Sequence, residues 1–157
     1  MKQNEINWKL ILITCSIIVC VIMGVRNCFG LFLEPISLYN NSGANPWGGI
    51  SADLERGIVY TVTGNPHSYF DGTLRPGDNT YASSVIALSI EQKKILWHFQ
   101  ETSHDIWNHD IPSPPILTKI KKDSKIIDVV VVPTKRANTL ILDRVTGEPI
   151  YDFIKRK

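Results

Sequence analysis

Beyond Leu33, apolar residues come in short runs broken by turn formers, without the rhythm of an amphipathic helix. Residues 57–62, GIVYTV, are rich in β-branched and aromatic side chains and are bounded by Gly57 and Gly64. Residues 84–89 (SVIALS) and 95–100 (ILWHFQ) flank the polar stretch IEQKK, which predicts a hairpin. Residues 116–120 and 126–132 around KKDSK predict a second hairpin, and residues 138–142 and 150–153 around DRVTGEP a third. A further strand at residues 47–52 brings the total to about eight short strands, an all-β pattern suited to a sandwich, a barrel or propeller blades. ALSIEQKKILW and LILDRVTGEPIY share one order of strand, polar turn and strand, and begin about 50 residues apart, a blade-like period. Propeller blades have four strands, so about eight strands make two blades, whereas a ring needs at least about four blades. Two blades alone would leave apolar faces and strand edges open. The remaining blades are therefore expected on another chain or missing from this one.

The N-terminal region has a different pattern. Residues 10–25, LILITCSIIVCVIMGV, carry no charge, while Lys2 and Lys9 precede them and Arg26 follows. As a helix this segment would reach roughly 24 Å, slightly short of the ~30 Å hydrocarbon core. It predicts one hydrophobic helix acting as an uncleaved membrane anchor. A cleaved signal and a buried helix are the alternatives. Either of the first two sends the body across the membrane, with the N-terminus inside. The expected layout is an anchor over residues 1–33 and a partial propeller over residues 34–157.

A net charge of +2 and the lack of a basic stripe exclude a nucleic-acid partner. Cys15, Cys20 and Cys28 all lie near the N-terminus, so the body has neither a disulfide framework nor a cysteine-based zinc site.

Candidate chemistry is densest at residues 104–112, HDIWNHDIP. A zinc site from His104, Asp105, His109 and Asp110 is one reading, but the two histidines are not spaced for one helix face and no His-Glu-x-x-His pattern occurs. Taken singly, the other features read blandly. Trp47 would be core, TGNP (residues 63–66) a turn and Lys135 a solvated hairpin residue. RPGDN (residues 75–79) is turn chemistry in which Arg75 and Asp78 pair. Their joint order changes this. NPWGGISAD, GIVYTVTGNP, RPGDNTYASSVIAL, LWHFQ, HDIWNHDIPSPP, VVPTK and LDRVTGEPIYD follow one another over about residues 43–153. In this the chain resembles the pyrroloquinoline-quinone (PQQ)-dependent dehydrogenases, and most of all their membrane-bound glucose dehydrogenase branch.

That resemblance implies an eight-bladed propeller in the periplasm that oxidises a small alcohol or sugar, with PQQ as electron acceptor and Ca2+ or Mg2+ beside it. It places Trp47 at the tryptophan that stacks on the flat quinone, a rigid platform of low entropic cost. It places Asn65 at a side-chain oxygen ligand of the metal, since hard cations prefer such oxygens. Lys135 falls at the cation touching the quinone oxygens, where it would stabilise charge during reduction. His104 and Asp105 belong to the motif that shapes the wall loop.

Two departures follow. The family's catalytic aspartate, which receives the substrate hydroxyl proton and lies beside the metal, falls at Asn108, and an amide is neither a general base near neutral pH nor a charged ligand. Asp110 then substitutes, or the chemistry is altered, or catalysis is lost while cofactor binding persists. In the first blade's docking turn, Ser89 stands for an aspartate and Lys93 for a glycine, predicting weaker docking there; the later turn keeps Asp143, Thr146 and Gly147. The resemblance also implies an acidic metal ligand and ring-closing residues that this sequence does not contain, so a gene fragment or truncated reading frame is expected. The competing function is a non-catalytic propeller scaffold of the cell envelope. It accounts for Asn108 but not for Trp47, Asn65 and Lys135 persisting in register.

Overall fold

The computed structural model describes residues 44–153, so the hydrophobic segment at residues 10–25 lies outside the described residues. Seven strands form two antiparallel sheets among these residues. The first sheet comprises β1 (Ile50–Asp53), β2 (Ile58–Val62), β3 (Ser84–Ser89) and β4 (Lys94–Gln100), paired in sequence order. The second comprises β5 (Ile116–Lys122), β6 (Lys125–Pro133) and β7 (Thr139–Asp143). Residues across from one another in a ladder share a face. Tyr60 opposes Ala87, Val62 opposes Val85, and these in turn oppose Trp97 and Phe99. In the second sheet Leu117, Val130 and Leu142 align, as do Val132 and Leu140. These two faces pack together, with Ile111 from the β4–β5 loop, into one core.

Two of the expected strands differ. Residues 150–153 form no strand: Ile150 N donates once to Ile141 O at 2.8 Å, and an isolated bridge joins Leu142 and Pro149. Pro149 has no N–H to extend the ladder. The chain then leaves the sheet, and Phe153 stacks edge-on against Phe99 with centroids 5.1 Å apart. Trp47 precedes the first strand in a turn closed by Trp47 N to Asn45 O at 2.9 Å, with Gly49 at φ +109°, a backbone that favours glycine.

Trp97 joins the two sheets. Its indole Nε1 donates to Arg144 O at 3.3 Å, and its ring lies where a Cβ on Gly147 would approach to 2.5 Å. Tyr60 donates to the same carbonyl at 2.9 Å, and burial, followed by the charge of Asp53, pushes its phenol up to about 12, so it remains a donor. Nearby, Asp53 accepts from Arg56 at 2.8 Å and from Arg144 at 3.3 Å, while Arg56 also reaches Asp128 on β6. Burial works to raise the Asp53 carboxyl, but hydrogen bonds from Arg56 and then Arg144 outweigh it and hold the group below its ordinary value. In the altered first-blade turn, Ser89 Oγ accepts from Gln92 N at 3.1 Å and Lys93 takes up φ +50°, so the turn keeps a glycine-like shape without glycine.

Candidate functional site

Antiparallel order decides where the site can lie. Chain direction reverses at each strand, so the β2–β3, β4–β5 and β6–β7 connections and the entry to β1 share one end of the sheets. Trp47 enters from before β1, Asn65 follows β2, Asn108 and Asp110 sit on the β4–β5 loop, and Lys135 crowns the β6–β7 turn.

Asp110 links three of these segments. Its Oδ1 accepts from Asn65 N at 2.5 Å and its Oδ2 from Lys135 Nζ at 2.9 Å. The Lys135 ammonium also donates to Asn108 O at 3.3 Å and lies 5.7 Å from the Trp47 ring centroid, within cation–π range. Gly64 is required by this closeness: a Cβ there would come within 2.7 Å of Asp110 Oδ1 and 2.9 Å of Trp47 Nε1. Trp47 is no core residue; it is 39% exposed beside the amine.

Two amide oxygens here are buried without a hydrogen-bond donor, Asn65 Oδ1 and Asn108 Oδ1. Asn65 Nδ2 donates to Tyr69 O at 3.1 Å, which fixes the amide so that the oxygen is the free end. Buried polar atoms are rarely left unpaired, and a neutral oxygen in that state suits a hard cation. Asn108 adopts φ +57°, a left-handed conformation that asparagine tolerates better than most residues. The donor set therefore fits a metal held by side-chain oxygens next to a planar group on Trp47.

His104 and Asp105 shape the loop. His104 Nδ1 lies 2.8 Å from Gly77 O. Asp105 is buried and accepts from Trp107 N at 2.9 Å, His109 N at 2.6 Å and Ser83 Oγ at 3.1 Å. The His104 ring thus serves loop structure, His109 is tied in through its backbone N–H, and among the described residues no three His, Cys, Asp or Glu side chains converge as a metal cluster. Arg75 differs from expectation. No ion pair joins it to Asp78 among the described residues; buried, it donates to Asn79 Oδ1, Ser68 O and Asp105 O, tying the RPGDN loop to the wall loop. Its buried carbonyl partner, Asp105 O, lies 30 residues away, so spacing could not reveal it.

Comparison with known proteins agrees with this picture. Residues 34–157 match the model of the PQQ glucose/ethanol/alcohol dehydrogenase β-propeller domain. The glycerol dehydrogenase large subunit of Gluconobacter thailandicus is 34% identical over 120 residues, covering 75% of this chain and 16% of the relative. Quinoprotein glucose dehydrogenase A of Acinetobacter calcoaceticus is 35% identical over 125 residues, covering 78% and 16%. The crystal structure of quinohemoprotein alcohol dehydrogenase from Comamonas testosteroni superposes with a TM-score of 0.64 at 32% identity, over 71% of this chain and 17% of that one. The chain spans about one sixth of the length of these relatives.

Proposed function

The chain belongs to the PQQ-dependent glucose/ethanol/alcohol dehydrogenase β-propeller family, and from that premise we propose that it forms part of a quinoprotein dehydrogenase oxidising a hydroxyl of a small alcohol or sugar. The observation carrying this reading is the meeting of Trp47, Lys135 and two unpartnered amide oxygens at one end of the sheets. When bound, PQQ supplies the electron acceptor. The Trp47 face offers it a platform, and Lys135 Nζ offers donors to its oxygens. Asn65 Oδ1 and Asn108 Oδ1 would hold Ca2+ or Mg2+.

The proton is the difficulty for this set of residues. Asn108 cannot accept it, and Asp110 is the carboxylate within the cluster. Each Asp110 oxygen already accepts one hydrogen bond, from Asn65 N and from Lys135 Nζ, so a substrate hydroxyl would have to deliver its proton to a remaining lone pair. Asn108 favours one second reading, a non-catalytic propeller scaffold of the cell envelope that uses the same blade repeat without cofactor. The outward faces of the sheets carry Ile50 and Ile116, which are 41% and 52% exposed, and these suit further propeller blades as partners. Our reading also places the body in the periplasm, anchored through residues 10–25.

Titration of the purified chain with PQQ and calcium, followed by tryptophan fluorescence and quinone absorbance, tests the proposal. Saturable, calcium-dependent binding lost in Trp47→Ala is expected, with turnover appearing or rising in Asn108→Asp. Binding without turnover in Asn108→Asp keeps the cofactor site and refutes only the base role of position 108, whereas the cofactor-free scaffold predicts no binding. A folded chain that binds no PQQ refutes a cofactor role.

A further inference from the structure

Lys135 stands on a five-residue turn whose hold on the rest of the protein comes from a residue with no role so far. Glu101 ends the first sheet just beyond β4, where its N–H donates to Ser83 O at 3.0 Å. Its side chain crosses to the second sheet and is almost fully buried, at 1% exposure. There Oε1 accepts from Thr134 Oγ1 at 2.8 Å and from Asn138 Nδ2 at 2.8 Å, the two residues that bracket the turn. The turn is closed by Thr134 N to Asn138 O at 2.9 Å and Ala137 N to Thr134 O at 3.2 Å. The next residue, Thr102, accepts from Arg136 Nη1 at 3.1 Å. The other carboxylate oxygen, Oε2, is buried without a donor.

A buried carboxylate with one oxygen unsatisfied is costly, and an apolar residue would fill the space with less penalty. What the carboxylate gains is a fixed turn. We infer that Glu101 is a positioning residue for Lys135: the β4–β5 segment holds that lysine at both ends, its backbone through Glu101 and its ammonium through Asp110. The inference rests on the cofactor reading of Lys135 only for its consequence, not for its geometry.

The test uses the full chain and two readouts. Amine acetylation measured by peptide mass spectrometry reports the Lys135 amine without any cofactor, with Lys119 and Lys121 as internal standards. Titration with PQQ and calcium reports the site. Glu101→Ala should raise Lys135 acetylation about two- to fivefold, the factor by which an exposed ion pair protects an amine. It should weaken PQQ binding about ten- to hundredfold, the usual loss for a supporting partner of a site. Glu101→Gln keeps the acceptor oxygen and should restore both to within about threefold of the parent. Should Glu101→Ala fail to fold, Asn138→Ala removes one tether from the turn side and should still raise Lys135 acetylation.

An unchanged Lys135 rate in a folded Glu101→Ala chain overturns the inference, as does an equal rise at Lys119 and Lys121. So does a flat rate in Asn138→Ala. If the parent binds no PQQ while Lys135 acetylation responds as expected, the positioning role stands and the cofactor reading fails. If the parent binds PQQ and Glu101→Ala changes neither PQQ binding nor the Lys135 rate, the positioning role fails alone.

Discussion

Gly64→Ala is the sharpest perturbation of the site that leaves its chemical groups in place. The new methyl carbon would stand 2.7 Å from Asp110 Oδ1 and 2.9 Å from Trp47 Nε1, whereas ordinary contact begins near 3.4 Å. Asp110 must therefore retreat by about 0.7 Å, and its 2.5 Å hydrogen bond from Asn65 N breaks or weakens. Hydrogen bonds to charged groups are worth about 1.5–3 kcal/mol, and partial exposure of Asp110 lets water replace some of that. Net destabilisation of about 1–2 kcal/mol is expected, read as a lower urea midpoint with an unchanged denaturant slope. The same movement disturbs the Asn65 ligand, the Lys135 partner and the Trp47 platform together. PQQ affinity should fall by at least about tenfold, equivalent to about 1.4 kcal/mol. A Gly64→Ala chain with parental stability and parental PQQ affinity would refute the convergence of these loops.

Other outcomes follow from the fold. Gly147→Ala faces left-handed strain at φ +76° and a 2.5 Å approach to the Trp97 ring, so it should cost about 2–4 kcal/mol in chemical denaturation, from strain and overpacking combined. Lys93→Gly relieves a left-handed lysine at φ +50° against glycine's greater unfolded freedom, and should stabilise by about 0.5–1 kcal/mol in the same assay. Asp53 and Asp128 are both held below their ordinary carboxylate values: burial raises each, and the Arg56 hydrogen bond, with Arg144 at Asp53 and Lys119 at Asp128, prevails. Their stabilisation is therefore complete above the unfolded value of about 3.9 and is lost as pH falls through the lower folded values. The thermal midpoint should drop below about pH 4, and Asp53→Asn should flatten that drop.

The short apolar runs and the polar turns between them determine the two hairpins β3–β4 and β5–β6, because runs of β-branched and aromatic residues bounded by turn formers favour paired strands. The ordered motifs, through the family they resemble, also point to Trp47, Asn65 and Lys135 and to Asn108, an amide where that family has its catalytic carboxylate. Tertiary structure decided where the first strand begins. The missing N–H of Pro149 was legible in the sequence, but the turn before β1 that holds Trp47 depends on its neighbour Gly64, whose N–H donates to Asn45 O at 3.1 Å. Tertiary structure alone engaged both oxygens of Asp110, with partners 45 and 25 residues away. It also turned Arg75 to Asp105 O and not to Asp78, and gave Glu101 its partners at Thr134 and Asn138. Local sequence sets strand-forming runs and turn chemistry, which act over a few residues. The grip on Lys135 comes from loops that antiparallel pairing carries to one end of two sheets, and that closeness exists only once the sheets have packed.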